Sequence, residues 1–497
     1  MEIGTGVSLG LYFVVMIAIG LYGFKESTSD TSGYLLGGRK MGPAVTSLSA
    51  GASDMSGWML LGLPGAMFVS GLSAAWIAFG LLLGALANYL LVAPKLRVYT
   101  EVANDAITIP DFFEKRFEDN SRLLRVVASI VIVIFFTLYT SSGVVAGGKL
   151  FESAFGLSYY WGLYVTAGVV VLYTLLGGFM AVSMTDFVQG CIMFVALILV
   201  PLVAFMGVGG SDGFVTTINT IDPAMLNLFS GVTIVGVISA MSWGLGYFGQ
   251  PHIIVRFMAI RSVKDIATAR NIGMSWMLVT LIGALATGLV GLAYVTQRGI
   301  PLDDPETIFI VLSSDLLFNP FIGGFLLAAI LAAIMSTISS QLLVSSSSLT
   351  EDFYKIFLRK KAKQKELVLV GRVSVIAVAA IAIALAYDRS SSVLGLVSNA
   401  WAGFGAAFGP VILLSLFWKR MTRWGALAGM IVGAVTVLVW VYVLGLSGLM
   451  YEIVPGFVAC MATIILVSLV SKAPKASVEA THEAMEAEIA EKLSQNP

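Results

Sequence analysis

The chain has 497 residues, of which 12% are charged and 58% are hydrophobic, with a mean hydropathy of +0.92. Ordinary globular chains carry about 25% charged residues, so this composition excludes an assembly of soluble domains and indicates transmembrane helices. The 29 basic and 29 acidic residues balance, which removes the electrostatic case for a nucleic-acid partner. Only two cysteines are present, too few for a disulfide framework.

Thirteen apolar runs are long enough to cross a bilayer, for which a helix needs about 20 residues. They predict an all-α integral membrane protein. The polar segment from Ser477 onward predicts a solvated helix or a disordered tail. The runs lie at 7–24, 45–69, 74–94, 126–148, 159–180, 187–208, 230–255, 271–295, 320–348, 368–387, 393–418, 425–445 and 451–471.

The basic residues predict how these spans are oriented. With the amino terminus outside, all of the 29 lysines and arginines except Lys149, Arg298 and Arg389 fall on the cytoplasmic side. An excess of basic residues in the cytoplasmic loops is the usual pattern in membrane proteins. We therefore expect an outer amino terminus and a cytoplasmic carboxyl terminus.

Two spans contain stretches that disfavour a continuous helix. The second span carries Ser49–Gly57 (SAGASDMSG), and the seventh carries Trp243–Pro251 (WGLGYFGQP). Inside a helix, glycine costs about 1 kcal/mol relative to alanine, and proline costs about 3 kcal/mol. Unwound backbone at membrane depth survives only where it is buried in protein or lines a cavity.

These two spans open two consecutive sets of five, spans 2–6 and 7–11. Successive spans cross the membrane in alternating directions. Because corresponding spans of the two sets are five apart, an odd number, they cross in opposite directions, and the second set is inverted relative to the first. Inverted repeats whose first helices are discontinuous predict a secondary transporter with its site near the bilayer midplane. The simpler alternative is that the small residues only allow close helix packing.

Asp54 is the only ionisable residue between Lys40 and Lys95. A carboxylate at this depth costs several kcal/mol unless a cation or a cavity compensates for it. The functional interpretation is contact with a sodium ion or a substrate ammonium, directly or through water. The structural alternative is that Asp54 caps the amino terminus of a half-helix.

The ninth span supplies hydroxyl groups at a spacing of one helical turn. Ser336 and Thr337 follow Ala332 and Ala333 by four residues, so hydroxyls and a carbonyl can share one face. Hard cations such as sodium take oxygen ligands of this kind. By spacing alone, the alternative that both hydroxyls bond back to the preceding turn stays open.

Two enzyme-like patterns lie in the wrong context. Gly244–Gly249 satisfies the dinucleotide-binding pattern GxGxxG but lies inside an apolar span. Gly6–Gly10 satisfies the nucleophile-elbow pattern, yet His252 and His482 are the only histidines in the chain. With neither a nucleophile–base pair nor a metal cluster in the membrane, we expect no enzyme.

Five stretches of the chain are long and specific enough to compare with a known family. They are Leu36–Arg39 (LGGR), Ser49–Trp58 (SAGASDMSGW), Trp243–Pro251 (WGLGYFGQP), Leu331–Thr337 (LAAIMST) and Trp401–Pro410 (WAGFGAAFGP). They resemble the solute:sodium symporter family, in particular its bacterial proline-transporting members. The resemblance extends from about Tyr34 to Pro474.

The resemblance implies a leucine-transporter-like fold with a 5+5 inverted-repeat core. The core would cover 45–418, with a first repeat at 45–208 and a second at 230–418. One leading helix with its cytoplasmic loop would cover 1–44, and two additional helices would cover 419–471. The segment 472–497 would form a cytoplasmic tail.

The resemblance also implies the residues of the site. Asp54 and Arg39 are expected to act in coupling and gating, without Asp54 clearly being a direct sodium ligand. The carbonyls of Ala52, Met55 and Ala333 and the hydroxyls of Ser336 and Thr337 are expected to bind sodium. The expected substrate-binding residues are Ser53, Ser56, Gly57, Trp58, Tyr139, Trp243, Tyr247, Phe248, Gln250 and Pro251.

The implied function is uptake of L-proline coupled to inward movement of Na+ across the bacterial cytoplasmic membrane, by alternating access. The expected partners are L-proline, Na+ and the lipid bilayer, with no tightly bound cofactor and no obligatory protein partner. The first alternative is a sodium symporter of the same fold for another small solute, such as another amino acid, choline, a sugar or a vitamin. The second alternative is a membrane-embedded enzyme or a sensor. The enzyme is disfavoured because neither a nucleophile–base pair nor a metal cluster is found in the spans, and the sensor because the tail is too short for a signalling domain.

Overall fold

A computed structural model describes residues 3–27, 31–315 and 319–494. The predicted segments 1–44, 45–418 and 472–497 therefore each include some residues outside the described part. The described residues form helices and no β-strand, apart from one isolated bridge between Met41 and Ile260. This confirms the all-α prediction.

Twenty α-helices follow one another along the described chain. They are α1 (Ile3–Ser27), α2 (Thr31–Leu36), α3 (Pro43–Asp54), α4 (Leu63–Ser70), α5 (Ala75–Ala87), α6 (Ala93–Val102), α7 (Ile109–Arg116), α8 (Leu123–Phe155), α9 (Tyr159–Gly207), α10 (Gly210–Ile221), α11 (Ile234–Met241), α12 (Pro251–Ala259), α13 (Ile266–Arg298), α14 (Ile308–Asp315), α15 (Pro320–Ser347), α16 (Gln364–Leu385), α17 (Val393–Phe417), α18 (Arg423–Leu438), α19 (Ile453–Val470) and α20 (Ala476–Ser494).

Tighter or wider helical turns interrupt or extend several of these helices. The 3₁₀ segments are Gly37–Arg39, Gly71–Ala74, Pro223–Leu226, Ser242–Gly249, Val263–Asp265 and Pro305–Thr307. The π-helical segments are Trp58–Gly62, Asn88–Val92, Ser348–Leu358 and Val439–Val443.

Ten helical stretches among the described residues are long and apolar enough to cross a membrane. One of them, Trp58–Val102, covers parts of two predicted spans. Two further apolar helices, Tyr159–Leu172 and Ile234–Gly249, are shorter. The count of thirteen spans therefore stays a prediction.

The long helix α9 contains a sharp interruption at Gly178. Its backbone there has φ 61° and ψ −171°, a conformation that is essentially restricted to glycine. The predicted spans 159–180 and 187–208 instead left a connection at 181–186. The interruption thus falls a few residues earlier than expected, and Asp186 becomes part of a helix.

Glycines bring the backbones of α5 and the Ser242–Gly249 segment into contact. A Cβ atom added to Gly84 would lie 2.2 Å from the carbonyl oxygen of Gly244, and one added to Gly80 would lie 2.2 Å from that of Met241. On the other side, Gly246 packs against the Trp401 indole of α17. The GxGxxG pattern therefore permits close packing of helices, in place of nucleotide binding.

The carboxyl-terminal helix α20 packs against α6. Met485 and His482 are buried in this contact, and Lys95 and Lys419 form ion pairs with Glu486 and Glu483. The helical alternative for the tail is therefore right and most of the helix is exposed, but one face is docked, because the few apolar residues of the tail share that face.

Candidate functional site

The helix α3 ends at Asp54, in the middle of the second predicted span. Met55 has φ −77° and ψ 71°, which is not helical, and helical turns resume at Trp58–Gly62. The Ser56 N–H donates to the Asp54 carbonyl oxygen at 2.9 Å. A Cβ on Gly57 would lie 2.8 Å from the Cβ of Ala146, so glycine lets this segment lie against α8.

The second irregular segment is the 3₁₀ stretch Ser242–Gly249 and the extended residue Gln250 that follows it. Pro251 then opens α12, a position that suits proline because the first helical N–H has no intrahelical partner. Trp401 of α17 forms two hydrogen bonds with this segment. Its indole N–H donates to the Trp243 carbonyl at 2.7 Å, and its own carbonyl accepts from the side-chain amide of Gln250 at 3.1 Å.

Four oxygen atoms from α3 and α15 come together beside the end of α3. The Ser336 hydroxyl lies 2.7 Å from the Ala52 carbonyl oxygen and 3.1 Å from that of Ala333. The Thr337 hydroxyl lies 3.5 Å and 3.2 Å from the same two oxygens. Hydroxyl and carbonyl oxygens are the donors that a hard monovalent cation prefers.

The geometry of the ninth span thus combines bonds within its own helix with bonds to another helix. The two hydroxyls bond back to Ala333 in the preceding turn, and they also reach the Ala52 carbonyl of another helix. Met55, the other expected sodium ligand, is fully buried directly after α3, and its N–H donates to the Gly51 carbonyl at 2.8 Å.

The Asp54 side chain is held by Tyr247, whose hydroxyl donates to Oδ2 at 2.5 Å. The Asp54 carbonyl oxygen accepts from the Trp58 indole at 3.1 Å and from the Tyr139 hydroxyl at 3.2 Å. Asp54 is the last residue of α3, and the next helical segment has no side-chain cap. The helix-cap interpretation of Asp54 was therefore wrong.

Asp54 and Ala52 point to different sides of α3. Ser47, Gly51 and Asp54 are spaced by four and three residues and share a face that lines one cavity. Ala52 lies on the opposite side, against α15. The carboxylate is therefore close to the group of four oxygens along the chain but faces away from it.

An aromatic cluster lies where the two irregular segments meet. The Trp243 ring is 6.4 Å from that of Trp58 and 6.5 Å from that of Trp401, and Tyr247 meets Trp401 edge-on at 5.1 Å. Tyr451, between α18 and α19, stacks on Trp243 at 5.2 Å. Tyr451 was missed because no sequence pattern relates this connection to the second and seventh spans.

For three other expected substrate residues, Ser53, Ser56 and Phe248, the contacts in the structure do not indicate a substrate role. The Ser53 hydroxyl donates to the Ala50 carbonyl, and the Ser56 hydroxyl accepts from the Trp58 N–H. Among the described ring contacts, none joins Phe248 to the aromatic cluster.

Arg39 lies at the opposite end of α3, away from the aromatic cluster. It donates to the Met258 carbonyl of α12 at 2.7 Å, to the Thr100 hydroxyl of α6 at 3.1 Å and to the Asp105 carboxylate. Positive φ angles at Gly37, Gly38 and Arg39 allow the chain to turn there. Arg39 therefore connects the loop before α3 to α6 and α12.

A buried ion pair that the sequence did not predict connects four helices. The Arg256 guanidinium of α12 lies 3.1 Å from Asp186 of α9, and it donates to Ser49 of α3 and Ser340 of α15. Both charged residues are fully buried. The predicted span boundaries assigned both residues to connections, so their burial had no signal in the hydropathy.

The sequence matches the profile of a known family, described as "Sodium:solute symporter family", over residues 34–433. The chain belongs to the sodium:solute symporter family. It is therefore a transport protein and not an enzyme.

Several relatives in this family are similar over nearly their whole length. The osmoregulated proline transporter OpuE of Bacillus subtilis is 59% identical over 475 residues, which cover 95% of this chain and 96% of the relative. The high-affinity proline transporter PutP of the same species is 60% identical, with 93% and 97% covered. A sodium/proline symporter of Staphylococcus aureus is 55% identical, with 96% and 94% covered.

Two solved structures share the fold. A Na+-coupled sialic acid symporter in a substrate-bound outward-open state superposes with a TM-score of 0.79 at 20% identity, covering 95% of this chain and 99% of that one. The nucleobase-cation-symport-1 family transporter Mhp1 in a closed conformation gives 0.58 at 12% identity, covering 92% and 99%.

The Arg256–Asp186 pair predicts a sharp difference between single and double substitutions. Arg256→Gln leaves a buried carboxylate without its cation and should lower the free energy of unfolding by about 3–5 kcal/mol. The double variant with Asp186→Asn removes both charges and should recover most of that loss. Thermal unfolding of the detergent-solubilised protein measures both effects.

The matched control is Lys419→Ala, which removes one partner of an ion pair whose side chains are 55% and 61% exposed. It should change the free energy of unfolding by less than about 1 kcal/mol. Equal effects of Arg256→Gln and Lys419→Ala would contradict a structural role for the buried pair.

Proposed function

We propose that this protein couples the inward movement of Na+ to the uptake of L-proline by alternating access across the bacterial cytoplasmic membrane. The observation that carries the proposal is the identity of 55–60% with three relatives named for proline transport, over more than nine tenths of each chain. The family membership supports sodium as the coupling ion.

The sodium ion is bound by the carbonyls of Ala52, Met55 and Ala333 and by the hydroxyls of Ser336 and Thr337. The distances of 2.7–3.5 Å between four of these oxygens support this assignment. On binding, each hydroxyl turns its hydrogen away and offers a lone pair to the ion. Sodium thereby replaces weak hydrogen bonds between α3 and α15 with stronger ion–oxygen contacts.

Proline binds between the two irregular segments. A zwitterionic imino acid needs donors for its carboxylate, acceptors for two N–H groups and an apolar wall for its ring. The side-chain oxygen of Gln250, Oε1, is buried without a partner in the described structure, and it provides one acceptor. The wall and remaining contacts come from Ser53, Ser56, Gly57, Trp58, Tyr139, Trp243, Tyr247, Phe248 and Pro251.

The architecture that we propose has thirteen spans with a leucine-transporter-like 5+5 core at 45–418. The ten candidate spans become thirteen if Trp58–Val102 is divided at Gly71, where φ is 66°, and the two shorter apolar helices are added. The amino terminus lies outside, and the tail at 472–497 lies in the cytoplasm. The discontinuities in spans 2 and 7 follow Asp54 and Met241.

Coupling follows from the shared position of ion and substrate at the end of α3. Sodium fixes this end against α15, and proline binds to the segment held in that arrangement, so each ligand should tighten the binding of the other. One positive charge moved through 100 mV contributes about 2.3 kcal/mol, which supports roughly 50-fold accumulation at about 1.4 kcal/mol per decade. Asp54 and Arg39 act at the two ends of α3, in coupling and in gating of the cytoplasmic side.

The substrate assignment predicts that unlabelled L-proline competes for transport. In proteoliposomes with an imposed sodium gradient, a hundredfold excess of unlabelled L-proline should abolish uptake of radiolabelled proline. The same excess of choline, glucose or pantothenate should leave that uptake unchanged. Sodium-driven transport that is insensitive to proline would favour a symporter for another solute.

The proposed coupling role of Asp54 predicts that Asp54→Asn abolishes sodium-driven uptake. The amide removes the negative charge but keeps the size of the side chain, so insertion into the membrane should persist. Uptake is measured in proteoliposomes, and the amount of protein by immunoblot. Asp388→Asn, in an exposed connection, is the matched control. Wild-type uptake by the Asp54 variant would remove this residue from the mechanism.

The proposed sodium ligands predict a change in sodium dependence. The double variant Ser336→Ala with Thr337→Ala loses two ligands and should raise the sodium concentration for half-maximal proline binding more than about tenfold, the effect of about 1.4 kcal/mol. Ser313→Ala is the control, because that hydroxyl only bonds to the Phe309 carbonyl of its own helix. An unchanged sodium dependence in the double variant would place the ion elsewhere.

A further inference from the structure

A small cavity lies on the face of α3 that is turned away from the Ala52 carbonyl and α15. Its volume is about 30 Å³, and it is bounded by α3, α5, α12, α13 and the Ser242–Gly249 segment. Most of its wall is apolar, including Met55, Ala85 and Met277. Two of the residues that line it, Asp54 and Asn88, carry polar groups whose hydrogen bonds are incomplete.

Asp54 contributes an unsatisfied carboxylate oxygen to this cavity. The Tyr247 hydroxyl donates a hydrogen bond to Oδ2, whereas Oδ1 has no partner among the described residues. The side chain of Asp54 is only 1% exposed. A buried acceptor without a hydrogen bond costs about 1–3 kcal/mol, and more if it is charged. Native structures therefore rarely contain such an acceptor.

Asn88 contributes an amide that is equally incomplete. Both Oδ1 and Nδ2 lack partners in the described structure, and Asn88 is 1% exposed. It lies in the apolar run of the third predicted span and opens the π-helical turns Asn88–Val92. Turns of this kind are rare and occur frequently at functional sites. An amide at this depth is costly unless something in the cavity bonds to it.

The size and lining of the cavity limit what could occupy it. A water molecule needs about 10–15 Å³ for its centre and two to four polar partners, so the cavity has room for at least one water and is too small for an amino acid. Its largely apolar wall suits a water molecule better than a sodium ion, which takes several oxygen ligands. Water can bond to Asp54 Oδ1 and to either end of the Asn88 amide.

We propose that Asp54 and Asn88 hold a buried water molecule in this cavity, and that Asn88 thereby acts as a positioning residue for sodium coupling. The second part rests on the proposed function. The water completes the hydrogen bonding of the carboxylate while Tyr247 holds its other oxygen. This fixes the last turn of α3, and with it the Ala52 carbonyl that lies two residues earlier and faces α15.

Radiolytic hydroxyl footprinting of the purified full-length protein tests the water directly. Hydroxyl radicals formed from a bound water oxidise the side chains next to it, so buried Met55 and Met277 should be modified. Met59 and Met258 are also buried but do not line the cavity, and they serve as internal controls, with Met55 as the most closely matched comparison. In Asn88→Leu, whose apolar side chain cannot bond to water, modification of Met55 and Met277 should fall at least about fivefold relative to these controls.

Sodium dependence of proline uptake tests the positioning role. Asn88→Leu should raise the sodium concentration for half-maximal uptake about tenfold, the effect expected for a lost hydrogen bond to a charged group, with little change in uptake at saturating sodium. Asn88→Ser retains a polar group and leaves room for water, so it should keep both the labelling and the sodium dependence. If Asn88→Leu fails to insert, Asn88→Val gives the same readouts.

The possible outcomes separate the two parts of the proposal. Absence of labelling at Met55 and Met277 in the wild type would overturn the proposal that the cavity holds a water molecule. Loss of labelling in Asn88→Leu with an unchanged sodium dependence would overturn the positioning role. Footprinting does not require transport. If the wild type shows no sodium-driven proline uptake, the proposed function is contradicted, and the labelling still shows whether the cavity holds a water molecule.

Discussion

The interruption after Asp54 is the constraint on which the site depends. Peptide groups that leave a helix in a medium without water must find other partners, because each unsatisfied group costs several kcal/mol. Here the Asp54 carbonyl receives bonds from Trp58 and Tyr139, and the Ala52 carbonyl receives bonds from Ser336 and Thr337. Three of these four partners, Tyr139, Ser336 and Thr337, come from α8 and α15, so the break is stable only within the assembled bundle.

The same requirement explains why aromatic residues gather at the second irregular segment. Trp401 both donates to and accepts from this segment, through Trp243 and Gln250. A tryptophan combines a large apolar surface with one N–H donor, which suits a buried position next to an unpaired carbonyl. The residues that satisfy the backbone therefore also form the aromatic cluster around Trp243.

Sequence reasoning located the irregular segments because glycine, serine and proline stand out within apolar runs. The carbonyl–hydroxyl group around Ser336 was expected from family resemblance, while spacing alone left it open. Burial of Asp186 and Arg256 was missed, because hydropathy ends a span where the first charge appears and cannot recognise charges that neutralise each other. The docked tail was missed for a related reason: its apolar residues are sparse, and they form a face only once the chain is helical.

The contact between Gly84 and Gly244 has a mechanical consequence. These two backbones touch without a layer of side chains between them, so a residue larger than glycine at either position would push α5 away from the segment that carries Tyr247. Because the Tyr247 hydroxyl donates to the Asp54 carboxylate, such a separation would also draw that donor away from the end of α3.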